Sequence, residues 1–488
     1  MNRKSILKSP IISGLLAGLL GGMVYVALAS HDICPLTCSL FGLSSPWFEL
    51  LLSTAIGAGF GLFFGRLAMT PGSGLMWGVV YGLLWWIVVP LTLFPLLLGS
   101  QPGWTAEIAG AAFSLLLGNL VGHGAVLGLA YPLFKTVLTG GWKLGRTRQV
   151  ALAFLRALFI GGLAGLVGGL AFGAWMEHVG FFPLIAGLLR SDSPNVGRTL
   201  HLIISVVIGG SYGVLFRRDI RGIGSSIAWG VAYGFIWWIL GPLTLMPWWL
   251  GKGVRWSLAA GQAAFPSLLG HLIYGIFLGV VYAAVSRTWR VLFTESDPLN
   301  REHEGPGTRS LRASGMGILA SVAGGLAFTV VMIQTGALPT VARLIRLSSP
   351  AAGFVVHMAI SAVIGGSYGL LFRREAYTYG AGLAWGLVYG MVWWLLGPLT
   401  LMPILLGASV QWSLAAALEA YPSLIGHLGY GGTTALVYQF LVLRYDLSLY
   451  TNVRRGQTHL WRTQGTPAPA LWVLILVMGV MLPLLFAG

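Results

Sequence analysis

Apolar residues run along the chain in continuous stretches of about 20, long enough to cross the ~30 Å hydrocarbon core of a bilayer as a helix. Membrane strands would instead show alternating segments of ~10 residues. The breaks between stretches hold Gly, Pro, Ser and Arg. This pattern predicts helices near residues 11–30, 48–65, 72–97 and 107–134, then 157–177, 200–216, 224–246 and 257–285. It continues with 314–334, 355–372, 380–405 and 412–442, and ends on one near 470–486, about 13 in all.

The segments come in fours because the chain repeats itself. VIGGSYG occurs at 207–213 and 363–369, WWILGPLTLMP at 237–247 matches WWLLGPLTLMP at 393–403, and FPSLLGHL at 265–272 matches YPSLIGHL at 421–428. All three pairs share an offset of 156. A more diverged copy precedes them, with GAGFG at 57–61, WWIVVPLTLFP at 85–95 and LLLGNLVGH at 115–123; its offset to the second copy is 152 in the middle and 148 at the end, which requires one short indel. The expected domains are therefore repeat 1 (1–145), repeat 2 (146–300), repeat 3 (301–445) and a linker with a C-terminal transmembrane helix (446–488). The fold class is an all-α integral membrane protein with three tandem four-helix transmembrane repeats. Each repeat starts and finishes on the same side, so the three are parallel and pseudo-threefold about the membrane normal.

Composition removes the alternatives. Of 488 residues 56% are hydrophobic and 9% charged, and mean hydropathy is +0.81, whereas a soluble domain carries roughly 25% charged residues. Soluble-enzyme and disordered classes are excluded. The net charge of +16 is a topology signal: alternate loops collect most of the 29 Lys and Arg residues. The expected orientation has the N-terminus cytoplasmic and the C-terminus external, with no cleavable signal peptide. The bilayer is the expected partner, other membrane subunits are possible ones, and nucleic acid is not. The 71 glycines, dense in GGLAGLVGGLAFG at 161–173, predict close helix packing, with the paired Trp85-Trp86, Trp237-Trp238 and Trp393-Trp394 as bulky partners. Cys34 and Cys38 are too few for a disulfide framework.

Histidine carries the candidate chemistry. His303 and His459 lie in cytoplasmic loops; the others fall on three equivalent positions, all toward the external side. The end of the first helix has His31, His178 and Gln334. The start of the second has Glu49, His201 and His357. The fourth has His123, His271 and His427. Pro242 and Pro247 break the third helix nearby and free carbonyls, and Thr244, with Thr92 and Thr400 as equivalents, adds a hydroxyl. Ionisable groups in membrane segments are costly and point to function.

Four readings stand. The histidines could be interhelical hydrogen-bond glue. They could line a pathway for protons, ions or a small solute, since an imidazole titrates near ~6.5. They could bind zinc or copper, through His178, His201 and His271 or through His31, Glu49 and His123, with thiols from Cys34 and Cys38. Or His201 with His271, and His357 with His427, could ligate haem. Glu107, Arg255 and Gln411 read as caps at the start of the fourth helix, Glu177 as exposed, and Glu419 as a partner of His427. No Ser-His-Asp set, phosphate loop or dinucleotide turn is present, so no enzymatic activity is expected.

In the second and third copies the pattern resembles the YagU-like family of bacterial inner-membrane proteins, a domain of unknown function. The resemblance rests on His201, Ser205 and Tyr212, repeated as His357, Ser361 and Tyr368. A Trp-Gly helix follows, then a Pro-Leu-x-x-x-Pro break and Gly-His-Leu at 270–272 and 426–428. It covers the last three helices of each copy and implies an inner-membrane helical fold and a link with acid tolerance. Here the unit is triplicated, Glu49 replaces the opening His in the first copy, and Ser267 and Ser423 stand where the family has an acid. The leading expectation is a channel- or transporter-like protein for protons or a small solute or ion. The alternatives are a haem- or metal-binding subunit of a larger complex and a structural scaffold.

Overall fold

The computed structural model describes residues 3–29, 45–139, 147–293, 306–373, 375, 378–449 and 468–487. The described residues form helices and turns without a strand, and twelve helices are long and apolar enough to cross a membrane. The protein is an all-α multi-pass membrane protein. Tyr421–Leu449, the counterpart of Phe265–Phe293, is not among the twelve: Ser423, His427, Thr433, Thr434 and Gln439 dilute its apolar run. Two compact units make up the chain. One comprises Met1–Ile220, Trp229–Tyr282 and Trp472–Gly488, the other Arg221–Ala228 and Ala283–Leu471.

Within the first unit, helices pair through backbone contact. The first and second helices of repeat 2, Thr147–His178 and Pro194–Phe216, approach so closely that a Cβ on Gly161 would collide with Gly209 O, and one on Gly165 with Ser205 O. Repeat 1 makes the same contact at Gly14 and Gly57. In the second unit Gly317 meets Gly365 O between Pro306–Gln334 and Pro350–Phe372. Lipid tails give two apolar helices no hydrophobic reason to associate, so dispersion across a close interface has to do it. The expected role of the glycine-rich first helix is present, but its partners are backbone, Ser205 and Tyr274 and not the Trp pairs.

The first unit also links repeat to repeat. The third helix of repeat 1, Pro71–Val88, starts at the N-cap Thr70, whose hydroxyl accepts from Ser73 N. The same hydroxyl donates to Asp219 Oδ2 at 2.8 Å, just beyond the second helix of repeat 2. Phe216 fills the space over Gly72, where a Cβ would lie 2.5 Å from its ring. The second unit repeats this arrangement: Glu375, buried, approaches Gly222 at the start of Ile223–Leu240, and Phe372 covers Gly224. In each case an acid from the following repeat lies at the positive end of a helix dipole. Repeat 1 carries exposed Leu67 at the acid's position, and the space around Gly380 is open.

The C-terminal helix lies inside the first unit. Its residues Val473, Val477, Met478, Met481 and Leu485 are all buried. It packs on Pro71–Val88 and on two short helices, Ala106–Ala111 and Leu258–Ala263. Gln262 Nε2 donates to its Leu485 O at 3.1 Å.

Two expectations follow. Gly161→Leu should abolish recovery of folded protein, because backbone cannot yield as a side chain can, while Gly187→Ala, where nothing lies within 4 Å, should leave recovery unchanged. Asp219→Ala should lower stability by about 1–3 kcal/mol in a detergent-unfolding titration, with Leu67→Ala within ~0.5 kcal/mol of the parent.

Candidate functional site

The kink of the third helix is a π-helical turn in every repeat: Val89–Leu93, Gly241–Leu245 and Gly397–Leu401. Its prolines lack the N–H that an α-helix would use, and the turn leaves a carbonyl to another donor. The threonine supplies it. Thr92, Thr244 and Thr400 donate to Ile87 O, Ile239 O and Leu395 O, each at 2.8 Å. The same hydroxyls accept from the indoles of Trp104, Trp256 and Trp412 at 3.0, 2.9 and 2.9 Å. The threonines thus serve as both donor and acceptor in holding the kink. A second indole secures the next break: Trp86, Trp238 and Trp394 donate to Ala112 O, Ala264 O and Ala420 O at 2.9 Å, where a short helix hands over to the long fourth helix.

His201 lies two turns inside its helix, because that helix begins at Pro194. It is buried under the short helix Phe182–Ala186. Its Nε2 lies 3.0 Å from Gly169 O, so a neutral ring carries its hydrogen there. Ser205 Oγ donates to His201 O at 2.8 Å, and Tyr274 donates to Ser205 O at 2.7 Å. His271 places Nδ1 2.7 Å from Ser267 O, again as donor. That leaves Nε2 as an acceptor facing the π-turn at Gly241. The phenyl ring of Phe172 packs against both imidazoles, 5.5 Å from His201 and 4.9 Å from His271 by centroid.

The second unit reproduces the histidine and tyrosine bonds of this arrangement. His357 Nε2 lies 3.0 Å from Gly325 O, His427 Nδ1 2.8 Å from Ser423 O, and Tyr430 donates to Ser361 O at 2.7 Å. Phe328 lies 5.2 Å from His357 and 4.6 Å from His427. Bis-histidine ligation needs an iron facing both imidazoles; in each pair both rings face a phenyl. Glu419 is exposed at the end of its short helix.

Repeat 1 corrects the histidine alignment. His271 places its carbonyl against Gly234 and His427 against Gly390; in repeat 1 the residue so placed, against Gly82, is Asn119. Asn119 also repeats the local hydrogen bond, Nδ2 to Leu115 O at 2.9 Å. His123 instead faces Gly21 as Tyr274 faces Gly168 and Tyr430 faces Gly324. His123 is therefore the counterpart of Tyr274 and Tyr430. The reason is a one-residue insertion, absorbed by a π-helical segment, Gly118–Ala125, within the fourth helix. Tyr25 occupies the place of Phe172 and Phe328, its ring lying along Gly118 and Gly122. Glu49, in the place of His201, is 3% exposed.

Among the described residues no three of His, Cys, Asp and Glu come together as an ion site. His178 is exposed at the end of its helix, next to Glu177, which pairs with Arg198, so His178, His201 and His271 form no cluster. His31, Cys34 and Cys38 lie outside the described residues, as do His303 and His459. The start of the fourth helix is capped by Thr105, Ser257 and Ser413. Arg255 and Gln411 enter through their backbone N–H, to Leu243 O and Leu399 O, and the residue making that bond in repeat 1 is Gly103, not Glu107. Asp219 and Glu375 were missed because their partners come from another repeat. No family model, curated protein or solved structure matches the chain.

Thr244→Val should cost about 1–3 kcal/mol in thermal unfolding, because it strands the buried Trp256 indole and Ile239 carbonyl together. Thr244→Ser, which keeps the hydroxyl, should cost less than half as much.

Proposed function

We propose that the chain is a channel- or transporter-like membrane protein for protons or a small solute or ion. The observation that carries this reading is the burial of Glu49, His123, His201 and His357 within membrane helices, each less than a tenth exposed. Ionisable side chains are rare in such surroundings and mark substrate or proton pathways. The inward-facing acceptors of His271 and His427, beside the π-turns at Gly241 and Gly397, add two groups able to take up a proton. The Lys and Arg distribution supports a cytoplasmic N-terminus and an external C-terminus, and with the YagU-like resemblance it supports a bacterial inner membrane. On that orientation the imidazoles lie toward the external leaflet, a placement suited to sensing outside acidity.

The test is proton flux into vesicles holding purified protein and a trapped pH-sensitive dye. The combined variant His271→Gln and His427→Gln should reduce flux to that of protein-free vesicles. Flux equal to the parent's would overturn the reading.

A further inference from the structure

We propose that repeat 1 holds a proton-binding site, made of Glu49, Tyr25 and His123, which the other two repeats lack. It rests on the reading of the chain as a proton-handling membrane protein and names the repeat in which the proton resides.

The argument starts from divergence at matched positions. Repeats 2 and 3 share one arrangement down to individual hydrogen bonds, with His201, Phe172 and Tyr274 in one and His357, Phe328 and Tyr430 in the other. Repeat 1 replaces these three by Glu49, Tyr25 and His123. Each imidazole becomes a carboxyl, each phenyl a phenol, and each tyrosine an imidazole. All three replacements are buried, at 3%, 5% and 5% exposure.

They lie at one level of the repeat. Gly21, which His123 Nδ1 approaches, is one helical turn from Tyr25, and Glu49 is within electrostatic reach of the Tyr25 phenol. His123 Nε2 is buried without a hydrogen-bond partner. Tyr274 at the matched position has its hydroxyl satisfied by Ser205 O. The π-helical segment that places His123 here is of the kind often found at functional sites.

The chemistry explains how such a group survives in lipid. With one labile proton the site is net neutral in both of its forms, as a carboxylic acid beside a neutral imidazole or as a carboxylate beside an imidazolium. Passing between them moves one proton from Glu49 Oε to His123 Nε2. The Tyr25 phenol puts a polar group within electrostatic reach of Glu49 where the other repeats have a phenyl. Tyr81 of the third helix is engaged with Ile56 O at 2.9 Å, and the neighbouring Trp256 does not titrate.

The experiment is pH-difference infrared spectroscopy of the whole chain in lipid, run beside the vesicle flux assay. The parent should show the carbonyl stretch of a buried protonated carboxyl. Glu49→Gln should remove that band. Tyr25→Phe and His123→Tyr, which install the residues that the other repeats already accommodate, should each shift it in frequency. His201→Gln should leave it in place. A band that persists in Glu49→Gln, or that ignores both His123→Tyr and Tyr25→Phe, overturns the proposal, as does a parent with no band. A parent that shows the band and its shifts but moves no protons keeps this site and defeats the transport reading. Flux without the band does the reverse.

Discussion

Everything in this protein depends on how closely two helix backbones can approach in lipid. Where Gly161 meets Gly209, and Gly78 meets Gly124, no side chain separates the main chains. In a solvent as apolar as the helices themselves, only such proximity holds them together. The consequence is rigidity in rotation. A helix seated on backbone cannot turn to present another face, so every side chain around it keeps a defined direction. The buried polar groups stand on that scaffold: His201 reaches Gly169 O because the first helix, one Gly-lined step away, cannot withdraw.

A second constraint acts where helices break. Lipid supplies no hydrogen bonds, so a carbonyl released by proline has to be satisfied from within. The Thr–Trp pair does this three times with nearly the same geometry. A hydroxyl is suited to the position because it gives and accepts at once. His271 and His427 face the turns that carry Thr244 and Thr400, as the grouping of these residues into one polar cluster anticipated. Their bonds show a division of labour, with Thr244 holding the kink and His271 facing it.

Legibility followed the same physics. Apolar runs and exact repeats in GGSYG, GPLTLMP and GHL report the helices and the kinship of the second and third copies directly, since both are one-dimensional signals. The histidine register in repeat 1 was not recoverable. An insertion of one residue in the Gly-rich stretch GNLVGHG leaves two plausible alignments, and only the contacts at Gly82 and Gly21 choose between them. The depth of His201 was also hidden, because Pro194 starts the helix well before the apolar run does. Asp219 and Glu375 read as ordinary loop acids, since their role depends on chain far away in sequence.

That last feature has a temporal side. Thr70 and Asp219 are separated by 149 positions, and at 5–20 residues per second the acid is synthesised roughly 7–30 seconds after the threonine. Throughout that interval Pro71–Val88 sits in the bilayer with its start held by its own Ser73 alone. Gly222 has no side chain to offer, and Ser225 holds the amides of Arg221 and Gly222 before Glu375 is made and beside it afterwards. Repeats 1 and 2 therefore each wait on the repeat that follows, and the order of translation becomes an order of locking that runs from the amino end of the chain toward the carboxyl end.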